Sequence, residues 1–223
     1  MSQTTALTPG AGWASSAIFQ LGKGRTLAVP MSVHQAARQK LVNAMNKKGA
    51  VGVVLLAGGL QQNQYDTDIE LVFRQDSWFN YLFGVKEAGV LGALDLATGH
   101  SVLFIPRLPE EYRIWCGEIK PPSAFQASYA VEKVRYLEDL PDWLHSVLGG
   151  AGVGGRLHLM AGVNSDSGLS AQAASFEGDE AFHGVVDTST LYDTLSLCRV
   201  TKSDEEVEVM RYAAYVASMA HTE

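Results

Sequence analysis

The 223-residue sequence has only two cysteines, Cys116 and Cys198, too few for a disulfide framework or a cysteine-built metal site. Two free thiols suit a reducing compartment. There is no Asn-x-Ser/Thr sequon. The longest apolar run, Val51 to Gly59, is far shorter than the ~20 residues a membrane-spanning helix needs. Basic residues are the minority: 17 Lys and Arg against 24 Asp and Glu give a formal charge of −7. That balance argues against nucleic acid and anionic membrane as partners, because both recruit Lys/Arg-rich faces. Residues 1–16 are rich in Ser, Thr, Ala and Gly and lack the basic start and apolar core of a signal peptide. They read as a disordered leader, and a cytoplasmic location is the expectation.

Chemistry-bearing motifs are also missing. The six histidines (His34, His100, His145, His158, His183 and His221) never fall into H-x-H or H-E-x-x-H spacing, so no zinc site is readable. No G-x-S-x-G elbow is present for a serine hydrolase. Gly150 to Gly155 fits G-x-G-x-x-G as a string, but a helix is expected before it and a strand after it. That order is the reverse of what a phosphate-binding loop requires, so the segment reads as an αβ loop. Asp66, Asp68 and Glu70, with Glu87 and Asp95 downstream, could hold a hard cation; alternate acids of this kind more often face solvent. His158, between Leu157 and Leu159, reads as a solvent-facing or internally satisfied strand residue. Cys198 reads as a small core residue.

What the sequence does contain is an alternation of strand and helix patterns. Ser32 is placed to cap a helix running to Lys48, with Val33, Ala36, Ala37, Leu41, Ala44 and Met45 at helical spacing and Gly49 as the stop. Ala50 to Ala57 reads as a buried strand, Ile69 to Phe73 as a shorter one, and Ser77 to Phe83 as a helix closed by Gly84. Val90 to Leu96 and Ser101 to Leu108 form a hairpin pattern. Short helices are expected over Glu110–Cys116 and Ser123–Tyr129, then a strand at Val134–Leu137 and a helix at Pro141–Leu148. Strands at Arg156–Met160 and Val185–Asp187 and a helix at Ser189–Cys198 follow. This pattern implies an α/β domain with a mixed central β-sheet flanked by helices. Ser203-Asp204-Glu205-Glu206 is a capping box opening a last helix. That helix is still running at Glu223, which suggests a chain cut short, and its apolar face (Val207, Met210, Ala213, Ala214, Ala217) is expected to dock on its own sheet or on a second copy.

Three stretches resemble one family. The first is Phe73-Arg74-Gln75-Asp76-Ser77-Trp78-Phe79-Asn80-Tyr81-Leu82-Phe83-Gly84-Val85-Lys86-Glu87. The second is Phe104-Ile105-Pro106-Arg107 with Ile114-Trp115-Cys116-Gly117. The third is Cys198-Arg199-Val200-Thr201-Lys202-Ser203-Asp204-Glu205-Glu206-Val207-Glu208-Val209-Met210-Arg211-Tyr212. Together they are similar to the N-terminal domains of prolidases and aminopeptidases P, and Gly162 to Gly168 suggests the eukaryotic-type prolidase branch. Ala88 stands where the family usually has proline.

The resemblance implies a creatinase/prolidase-type N-terminal domain with a ribonuclease H-like motif over residues 17–200. Residues 201–223 would be the start of the helix leading into a catalytic domain. In the family that second domain holds two Mn²⁺ or similar ions on two Asp, one His and two Glu and cleaves dipeptides ending in proline. On this reading the present chain has no catalytic residue, no metal and no activity of its own. Its expected work is homodimerisation and shaping the partner subunit's cleft, with Trp115 as the gating residue. The alternative for Trp115 is an ordinary core tryptophan. Arg74 and Gln75 are expected to be buried in a local hydrogen-bond network. The alternatives for the whole are an aminopeptidase P domain or a free-standing protein-interaction module of the same fold.

Overall fold

The computed structural model describes residues 17–22, 24–149 and 154–222. The expected leader, 1–16, and most of the Gly150–Gly155 string lie outside the described residues. Two short strands, β1 (Ile18–Phe19) and β2 (Val29–Pro30), form a small antiparallel ribbon ahead of helix α1 (Ser32–Lys47). Ser32 is the first helical residue and not the cap. Met31 holds that position without a side-chain bond, its own side chain being buried in the core instead.

Strand β3 (Gly52–Ala57) follows, buried on both faces as its unbroken apolar run requires. Helix α2 (Ser77–Phe83) is capped by the Asp76 carboxylate, which accepts from the Trp78 and Phe79 amides at 2.9 Å each. It ends on Gly84 at φ +65°, where a Cβ would come within 2.4 Å of the His34 ring. The hairpin forms as β4 (Leu91–Asp95) and β5 (Ser101–Ile105). A 3-10 turn, Glu110–Tyr112, runs into α3 (Arg113–Cys116), and α4 (Pro122–Tyr129) starts with proline in its first turn. The chain continues through β6 (Lys133–Tyr136), α5 (Leu140–Leu148), β7 (Arg156–Leu159), β8 (Val186–Asp187), α6 (Leu191–Val200) and α7 (Asp204–Thr222).

The six main strands lie in the order β6-β5-β4-β3-β7-β8. All run in one direction except β4, which pairs antiparallel with β3 and β5. Alternation sends Val54, Leu56, Leu94, Leu103 and Ile105 to one face, against α1, α2, α4 and α6. Val53, Leu55, Ala93, Val102 and Phe104 go to the other, against α5 and Phe182. The mixed sheet flanked by helices is the expected α/β class.

Two elements differ from expectation. Ile69–Phe73 is not a strand: its one pairing is an isolated bridge between Glu70 and Asn63, and Ile69, Leu71 and Val72 point to solvent. Strand propensity there has no half-buried surface to fit against. Helix α7 forms, with Ser203 N–H donating to Glu206 and the Glu206 amide donating to Ser203 Oγ, but none of its residues is buried. Only its first turns, 205–209, are half-buried, and beyond them the helix is almost wholly exposed, so it does not dock on its own sheet.

His34 is held between α1 and α2, with Nδ1 2.9 Å from the Tyr81 carbonyl. Burial, and then the nearby positive charges of Arg38 and Lys86, lower its pKa from 6.5 to about 4, against the opposing pull of the Tyr81 carbonyl. Protonation therefore favours the unfolded chain. Stability is full above about pH 6.5 and falls as pH drops toward 4, by up to about 1.4 kcal/mol per pH unit. Chemical denaturation at pH 7, 6 and 5 should show that slope, and His34→Gln should flatten it.

Candidate functional site

Because five strands share one direction, their C-terminal ends and the start of β4 meet at one end of the sheet. The long connections gather there: 58–76 after β3, 106–121 after β5 and 160–185 after β7. The opposite end has only short turns among its described connections. Loops emerging beyond the carboxyl ends of strands are where α/β sheets usually place their working surface.

Two of these loops are small ribbons. The first is closed by Gln64 N–H to the Ile69 carbonyl (2.8 Å) and Leu71 N–H to the Gln62 carbonyl (2.9 Å), the second by Asn164 N–H to Leu169 and Ala171 N–H to Gly162. The third carries the 3-10 turn and α3. All three expose apolar side chains: Leu60, Tyr65, Ile69 and Val72; Val163 and Leu169; Tyr112, Ile114 and Trp115. Trp115 is 83% exposed and Ile114 78%. The core reading of Trp115 is therefore overturned, since polar Glu110, Glu111 and Arg113 keep its segment in water. An open groove of about 1260 Å³ runs between these loops, bordered by Gly58–Leu60, Arg107, Glu138 and residues 170–178.

Gln75 organises this end. Its Oε1 accepts from the Gly59 amide (2.5 Å) and the Asp76 amide (3.0 Å), and its Nε2 donates to the Val85 and Glu87 carbonyls, both at 3.1 Å. One side chain thus joins the start of the first loop, the cap of α2 and the turn into β4. Gly58 makes room for it, because a Cβ there would lie 2.8 Å from the Val90 carbonyl and 3.0 Å from Gln75 Oε1. Gln75 fulfils the expected structural role. Arg74 does not, being exposed.

Glu87 extends the network outward. Tyr129, buried at the end of α4, donates to one carboxylate oxygen at 2.5 Å, and Lys120 donates to the other at 2.7 Å. Burial, and then the bond to Glu87, push the Tyr129 hydroxyl well above its ordinary pKa, so it stays a donor. Arg107 bonds Glu138 through Nε at 2.6 Å and stacks over the Tyr136 ring at 3.6 Å.

The structure disperses the other candidate groups. Asp66, Asp68 and Glu70 are exposed on the first ribbon. Glu87 precedes β4 and Asp95 ends it, so the strand's length separates them, and Asp95 instead braces the hairpin turn by accepting from the Ala97 amide and Thr98 Oγ1. Among the described residues no group of three or more His, Cys, Asp or Glu could hold a metal ion. His158 is satisfied inside the domain, with Nδ1 2.7 Å from Asp187 and Nε2 3.2 Å from the Val51 carbonyl. Cys198 is buried near the Lys40 carbonyl, and burial raises its pKa. Helix α5 precedes and β7 follows the Gly150–Gly155 segment, as expected for an αβ loop. Among the described residues no helix is long and apolar enough to cross a membrane.

Sequence reading missed Lys120, Tyr129, Glu138 and the pairing of Arg107. The partners stand 31 to 42 positions apart and meet only through the sheet's topology, so no local spacing marks them.

Residues 34–153 match the family described as aminopeptidase P, N-terminal domain. The chain is 41% identical over 208 residues to the Xaa-Pro dipeptidase of Mus musculus and 38% identical to that of Homo sapiens, covering 92% of this chain and 41% of each relative. It therefore spans about two fifths of the length of these curated relatives. Of the solved structures, Escherichia coli aminopeptidase P with the inhibitor Pro-Leu superposes with TM-score 0.62 at 21% identity, over 87% of this chain and 44% of that one. Pseudomonas aeruginosa aminopeptidase PepP gives 0.60 at 25%, over 86% and 43%. These likenesses establish the fold.

Gln75→Leu should remove four hydrogen bonds and leave buried amides and carbonyls unpaired, costing about 2–4 kcal/mol. The expected melting temperature is about 5–12 °C lower. A loss under 1 °C would show that the loops are held by something else.

Proposed function

Because the chain belongs to the aminopeptidase P N-terminal domain family, we propose that it serves as the non-catalytic domain of an Xaa-Pro dipeptidase. The peptidase chemistry belongs to a second domain that holds two Mn²⁺ or similar ions and cleaves dipeptides ending in proline. The domain itself supports a homodimer and narrows the partner subunit's cleft in the cytoplasm. The relatives at 38–41% identity are Xaa-Pro dipeptidases, whereas the probable Xaa-Pro aminopeptidases of Paracoccidioides lutzii and Pyrenophora tritici-repentis are 26% and 27% identical. That difference favours dipeptidase over aminopeptidase.

The observation that carries the proposal is the exposed Trp115 at the loop-bearing end of the sheet. A tryptophan left 83% in water on a segment that covers no core is suited to burial against another surface. Its rigid ring can exclude water and close over a proline ring at small entropic cost. A free-standing interaction module would use the same surface, and it predicts a reading frame that encodes no metal-bearing domain.

In the product of the whole reading frame, Trp115→Ala should lower kcat/KM for an Xaa-Pro dipeptide roughly tenfold, a loss of about 1.4 kcal/mol. The melting temperature should stay within 1–2 °C, because the ring covers no core. Unchanged kinetics on Xaa-Pro dipeptides would overturn the gating role.

A further inference from the structure

The segment that carries Trp115 covers nothing. Every described side chain from Leu108 to Glu118 is exposed, and its internal bonds are local: Tyr112 N–H to the Pro109 carbonyl, Gly117 N–H to the Arg113 carbonyl, and an Arg113–Glu110 pair at 2.9 Å. Burial therefore cannot orient it, and a segment with no packing is expected to swing. Two ionic contacts stand at its two feet. Arg107 at the entrance is bonded to Glu138 and stacked on Tyr136. Lys120 at the exit is bonded to Glu87, whose other oxygen takes the hydroxyl of buried Tyr129 and whose backbone is held by Gln75.

We propose that Arg107 and Lys120 are positioning residues that fasten both feet of the Trp115 segment to the rigid end of the sheet, setting where the tryptophan is presented. The two anchors differ in kind. Glu138 sits just past the edge strand β6 and is itself half-exposed, whereas Glu87 is already held by Gln75 at its carbonyl and by Tyr129 at its carboxylate. The exit foot is the firmer one. Fastening of this kind is preorganisation: it removes part of the ordering cost when Trp115 docks on its target. The inference rests on the gating role proposed for Trp115 only in what the fastening is for; the fastening itself is a property of this chain.

The test is amide hydrogen exchange of the 223-residue chain, read on peptides covering 108–119. Lys120→Met and Arg107→Met should each speed exchange there about threefold, and the double variant about tenfold, as expected for exposed ion pairs. The remainder of the chain and the melting temperature should be unaffected, which separates positioning from general stabilisation. Lys120→Arg should preserve wild-type exchange, and 1 M NaCl should move wild type toward the double variant. Exchange within twofold of wild type in the double variant overturns the proposal, as does acceleration spread over the whole chain. Failure of the gating role is read elsewhere, in the kinetics of Trp115→Ala, and would leave the fastening intact.

Discussion

The carboxamide of Gln75 is the constraint on which the rest of the loop-bearing end depends. Its four bonds consume both lone pairs and both protons, on backbone groups at the two ends of the 58–76 connection and in the turn between α2 and β4. Each of those groups would otherwise be a partly buried, unpaired amide or carbonyl. Glycine at position 58 lets the strand come close enough for this to happen, and Asp76 turns the same loop into the first turn of α2. The family-like segment 73–87 thus has a physical meaning: it is the piece of chain that builds the rigid base of the loops.

From that base, rigidity passes outward and diminishes. Glu87 is held through its carbonyl by Gln75 and through its carboxylate by Tyr129, so Lys120 meets an acceptor already in place. The segment beyond has no packing of its own and ends in an exposed tryptophan. The proposed closure on a partner needs this gradation, with apolar side chains free to be covered but presented in a defined direction.

Most of the fold was legible because its elements announce themselves locally. Ala50–Ala57 is a continuous apolar run and becomes the central strand β3; Gly84 follows an aromatic-rich helical turn and adopts the left-handed conformation that ends α2. The capping box at Ser203 forms as written. The failures share a cause. Ile69–Phe73 has the composition of a strand but pairs only through the isolated bridge of Glu70 to Asn63, and Arg74, next to the keystone Gln75, is exposed. The anchors of the Trp115 segment were invisible because Arg107–Glu138 and Lys120–Glu87 are made by the strand order β6-β5-β4-β3, which no single stretch of sequence contains. The exposure of Trp115, by contrast, is written locally, in the polar Glu110, Glu111 and Arg113 beside it.

The central claim is that the loop-bearing end of this domain faces the cleft of a second copy. It is tested most directly by placing a photo-reactive phenylalanine at position 115 in the product of the whole reading frame and mapping the crosslink after irradiation. The account predicts a crosslinked dimer, with position 115 joined to the metal-bearing domain of the other copy. Crosslinks confined to the same copy, or none beyond solvent quenching, would contradict it.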